Sequence, residues 1–150
     1  MFLAVALAGV LGQASAQPSM KFRGSGGWGE GTQYERLFDN YNLKTIMATV
    51  VRIDTATPMK DMTQAGLRLI VAPDGGKEIP VHLGPMWFAL NQDLSFQKGV
   101  KLEIKGFHAN YLGADFIMAV ELRGKEKGKE WIFRFRDDDG NPLWCVFRPK

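Results

Sequence analysis

From residue 44 onward, apolar and polar residues alternate with a period of two, the pattern of strands that bury one face. Lys44 to Ile53 is the first such run and is rich in β-branched residues, which suit a pleated surface. Its phase slips at Val50-Val51: Ile46, Ala48 and Val50 share one parity, Val51 and Ile53 the other. A β-bulge reconciles the two, because one extra residue shifts parity and bends the strand. Leu67, Leu69 and Val71 mark a second strand, and Pro73-Asp74-Gly75-Gly76 a hairpin turn with glycines free to take positive φ. Glu78 to Leu83 is the third strand, with Ile79, Val81 and Leu83 on one face and Glu78, Pro80 and His82 on the other. Gly84-Pro85 stops it, since proline fixes φ and donates no backbone hydrogen bond. Met86-Trp87-Phe88 then reads as an apolar plug, with Trp87 buried and His82 accessible.

The segment 85–96 is the one stretch between strands that can hold a helical turn. Val100, Leu102 and Ile104 alternate with Lys101, Glu103 and Lys105 in a fourth strand bracketed by Gly99 and Gly106. Phe116, Met118, Val120 and Leu122 define the buried face of a fifth, followed by a charged turn from Gly124 to Gly128. Trp131, Phe133 and Phe135 are the core face of a sixth, with Arg134 and Arg136 outward. After a turn at 137–142, Leu143 to Phe147 is an apolar tail that packs.

Upstream the alternation is absent. Phe2 to Leu11 is apolar but too short to span a bilayer, and Ala14-Ser15-Ala16 has the small-x-small form of a cleavage site. Residues 1–16 therefore read as a leader, with Gln17 first in the mature chain. No Lys or Arg precedes the apolar run, which points to a start upstream of Met1. Residues 17–43 read as a Gly-rich linker and a short helix. Trp28 is wasted in a tether unless it folds back. Thr32 and Glu35 have capping-box spacing, with Tyr34, Leu37 and Phe38 as the buried face.

Three strands, a short helical connection and further strands make the order of a small all-β, OB-fold-like Greek-key barrel. It would occupy 44–150, with a β-sandwich as the alternative. The motifs Gly27-Trp28-Gly29, Tyr34-x-Arg36-Leu37-Phe38-Asp39, Thr57-Pro58-Met59, Val81-His82-Leu83-Gly84-Pro85-Met86-Trp87-Phe88 and Asp139-Gly140-Asn141-Pro142-Leu143-Trp144 occur in that order. The set resembles a group of small exported bacterial OB-fold-like proteins with a Val-His-Leu-Gly-Pro-x-Trp element, some of them labelled DNA-binding. The resemblance implies fold and export, here to the periplasm, and brings no activity or functional residue with it.

Composition narrows the function. The chain is 45% hydrophobic and 23% charged, and its formal net charge of +3 is too small to indicate nucleic acid. Its single cysteine, Cys145, excludes an intrachain disulfide and a thiolate-rich zinc site. Catalysis needs a nucleophile, a base and an orienting group. Cys145 sits in an apolar run, His82 and His108 have no nucleophile signature beside them, and no phosphate-binding loop is present. Asp137-Asp138-Asp139-Gly140 lacks the alternating ligands and distal glutamate of a calcium loop. The expectation is thus a non-catalytic binding or accessory module for a partner protein or small ligand. Trp28, Trp87 and the Thr57 to Thr63 loop, with Met59 and Met62, are its candidate surface. One alternative is copper held by Met59, Met62, His82 and Met86, since thioether and imidazole suit that metal. Another is single-stranded nucleic acid on outward Lys101, Lys105, Arg134 and Arg136, which export disfavours.

Overall fold

The structure is a computed structural model that describes residues 26–92 and 97–145. The expected leader at 1–16, the expected linker up to residue 25, the end of the 85–96 connection and the tail beyond Cys145 lie outside the described residues. Six strands form one sheet: β1 (Leu43–Ala56), β2 (Gly66–Pro73), β3 (Ile79–Pro85), β4 (Lys101–Tyr111), β5 (Ala114–Glu126) and β6 (Lys129–Arg134). Their order is β3-β2-β1-β4-β5-β6, and β3 also pairs with β5. That last pairing, parallel through Val81↔Ile117 and His82↔Met118, closes the ring, while the other pairs are antiparallel. The result is a small all-β barrel, not a sandwich.

The alternation of the sequence explains its elements. The β1–β2 register passes from Val50↔Val71 to Arg52↔Ile70, so Val51 is the extra residue of a bulge where the parity slips. Gly106 does not end β4, as the sequence suggested. The strand runs on to Tyr111 and the register shifts between Lys105 and Gly106. A Cβ at Gly106 would lie 2.6 Å from the Met118 carbonyl oxygen, so close backbone approach requires glycine there. Between β3 and β4, α1 (Met86–Ala89) and a 3₁₀ turn at Leu90–Gln92 supply the short helical connection.

Val50, Leu69, Val71, Val81, Leu83, Leu102, Ile104 and Leu122 fill the barrel. One strand departs from a single-face pattern: every residue of β5 from Phe116 to Leu122 is buried. Its inner face lies against the barrel core; on its outer face Phe116 is covered by the N-terminal arm, and Glu121 by Arg123 and Arg134. In the N-terminal arm, 26–42, the Tyr34 ring stacks over Phe116 and Phe38 meets Phe107 edge-on. In the C-terminal arm, 135–145, Trp144 seats against Gly84 and Phe88. Trp131 and Phe133 are only half-buried, unlike Phe135, because β6 has β5 as its strand neighbour and lies outside the ring.

Candidate functional site

The two arms meet over the closing β3–β5 pair. Trp28 is fully buried, its indole N–H donating to the Gln64 carbonyl at 2.8 Å, while the Trp144 indole donates to the Trp28 carbonyl at 2.9 Å. Both rings need glycine beneath them: a Cβ on Gly66 would stand 2.2 Å from the Trp28 ring, and one on Gly84 2.6 Å from the Trp144 ring. Gly84 also has a φ of 95°, a left-handed conformation that favours glycine. The Leu83-Gly84-Pro85 element is therefore the seat of a C-terminal tryptophan. Trp28 has no surface to offer a partner, contrary to the sequence expectation.

His82 is also corrected. It does lie on the opposite parity to Val81, yet it is only 5% exposed. The outward side of β3 is not solvent at this point, because Tyr34 lies over it. The phenol oxygen and His82 Nδ1 share a hydrogen bond of 3.0 Å, and the imidazole stacks on Phe116 at 4.3 Å. Burial first, and then the nearby Arg68 guanidinium, push the His82 pKa down to about 3. Burial likewise holds the Tyr34 phenol well above its ordinary range. These two mutually bonded rings lie under a lid of aromatics and pack as part of the buried layer between the N-terminal arm and the barrel.

Arg136, which parity placed outward, is 1% exposed. Its guanidinium makes a bidentate pair with Glu35, both contacts at 2.6 Å, donates to the Gly140 carbonyl and lies 3.9 Å over the Phe38 ring. The capping box is accordingly half formed. The Glu35 N–H donates to Thr32 Oγ1, but the Glu35 carboxylate is taken by Arg136.

The remaining candidates gather nearby. The Thr63 N–H donates to the Gly26 carbonyl and the Met86 N–H to the Ala65 carbonyl, so the 57–65 loop, the N-terminal arm and the start of α1 come together. Met59 is buried there, while Met62, Met86 and Trp87 are half-buried against the core. Trp87 is not the buried plug; Phe88 is. Among the described residues, no three His, Cys, Asp or Glu side chains gather as a metal site. Burial raises the Cys145 thiol pKa, which disfavours the reactive thiolate.

Described residues also line two surface concavities. A cleft of about 510 Å³ runs from Met47 across the outer side of β4 and β5 to β6, where Ile132 stands at its rim. Met47 and Ile132 are 42% and 48% exposed, and Lys101, Glu103, Arg123, Lys125 and Glu130 surround them. The second, about 380 Å³, opens into one end of the barrel between β1, β3, β4 and β5. Sequence reasoning missed both. Lys44 offered a signal for the second: it shares the inward phase of Ile46, Ala48 and Val50 and opens into that mouth.

By its fold, the protein is a small closed β-barrel clasped by its own flanking segments. The chain belongs to the MamS/MamX magnetosome protein family, whose model matches residues 42–128, from the start of β1 through β5. No curated protein and no solved structure matches.

Proposed function

We propose that this protein is a non-catalytic, exported accessory module of the magnetosome, an OB-like barrel that engages a partner protein through the cleft beside β6. The observation that carries this reading is the pair of exposed apolar side chains, Met47 and Ile132, in a concave surface. Exposed apolar groups rimmed by polar ones mark interaction sites. The strand order and the parallel β3–β5 closure support an OB-like barrel. The charges around the cleft are of both signs, which suits a protein surface better than a phosphate backbone. The family match supports the magnetosome as the setting, and the apolar leader with its Ala14-Ser15-Ala16 site supports export.

Cosedimentation with isolated magnetosomes tests the reading. Wild-type protein is expected to be retained, and a Met47→Glu, Ile132→Glu double variant to be released with its circular dichroism spectrum unchanged. Equal retention of the two would remove the cleft as the contact, and no retention of wild type would remove the accessory role.

A further inference from the structure

The barrel mouth shares no lining residue with the cleft. Its floor is Ile46 of β1, Ile79 of β3, Ile104 of β4 and Ile117 of β5, so four strands aim aliphatic side chains into one opening. The cavity, about 380 Å³, falls at the small end of the range in which proteins hold organic ligands, roughly 300–1,000 Å³. Lys44 and Lys77 stand at the rim, and neither has an acidic partner among the described residues. The acids there are unequal. Asp115 is occupied, accepting from Asn110 Nδ2 at 2.7 Å with His108 Nε2 3.9 Å away. Glu78 alone is left against two uncommitted ammonium groups.

The geometry points to a binding site for a small amphipathic carboxylate, its aliphatic body on the isoleucine floor and its head between Lys44 and Lys77. An apolar pocket with a few polar groups at one side fixes a ligand's orientation this way, and an ammonium–carboxylate contact is stronger than a neutral hydrogen bond. Lysine suits the task, since its long stem lies along apolar surface while the charged end stays at the rim.

The probes are octanoate, octanol and octylammonium, titrated into the purified protein and followed by amide NMR shifts. Octanoate is expected to give saturable shifts centred on Ile46, Ile104 and Ile117, and to bind more tightly than the other two. A Lys44→Glu, Lys77→Glu variant should weaken octanoate roughly tenfold or more and turn the preference toward octylammonium, with shifts elsewhere unchanged. The cleft variant Met47→Glu, Ile132→Glu should bind octanoate as wild type does, so failure at one site leaves the other standing. No saturable shift, or a ranking of the three probes that charge inversion does not move, would overturn the assignment. So would loss of octanoate binding in the cleft variant.

Discussion

His82 shows how one side chain can link the fold to pH. Its pKa is pushed to about 3 in the folded protein, against about 6.5 in an unfolded chain. Between those values the unfolded state binds the extra proton, so stability rises with pH through this window and is complete above it. As pH falls from 6.5 to 5, His82 should cost about 2 kcal/mol of stability. Urea titrations at the two pH values are expected to show this loss in wild type and not in His82→Phe; the same loss in both would assign it to other groups. Burial also separates two neighbours in the plug. Phe88 is buried and meets the Phe135 and Trp144 rings edge-on, while Trp87 sits at the flank of α1. Phe88→Ala should therefore cost about 3–5 kcal/mol, the usual range for an emptied aromatic core site, and Trp87→Ala nearer 1 kcal/mol. Denaturant midpoints of the two variants compare them directly, and a costlier Trp87→Ala would restore Trp87 as the anchor.

Between elements, the arms are held to each other as well as to the barrel. Arg136 of the C-terminal arm and Glu35 of the N-terminal arm form their pair with the guanidinium almost fully buried. Removing one partner strands the other's charge, at about 3–5 kcal/mol, whereas replacing both with apolar groups can be nearly neutral. Arg136→Met and Glu35→Leu should each be strongly destabilising, and the double variant much less so than their sum. A double-mutant cycle in urea measures the coupling, and additive losses would show that the pair does not join the arms. The same covering explains β5. A strand with one face in a barrel is expected to alternate, but Tyr34 covers Phe116 on its outer side and Arg123 and Arg134 close over Glu121, so its burial is continuous.

Across the whole molecule, the family match stops short of the clasp and of β6. Residues 42–128 hold the five strands that close the ring, and the parts of both arms from 26 to 41 and from 135 to 145 lie outside them. The barrel supplies a cleft and a mouth through different residues, so the proposed partner contact and the proposed carboxylate site can be disabled separately. No helix among the described residues is long and apolar enough to cross a membrane.

The sequence alone determined the order of the strands, the bulge at Val51, the hairpin turns at 73–76 and 124–128 and the barrel class, because each rests on local alternation and turn chemistry that neighbouring residues reveal. It also showed which parity His82 takes on β3. What parity cannot show is what lies over that face. Trp28, Tyr34 and Trp144 come from opposite ends of the described chain, and their meeting at Gly66, Gly84 and His82 is a matter of long-range packing. That packing turned an expected accessible histidine, an expected outward arginine and an expected surface tryptophan into a buried clasp. The mouth was equally hidden, since its floor is drawn from four strands and exists only once β3 and β5 have closed the ring.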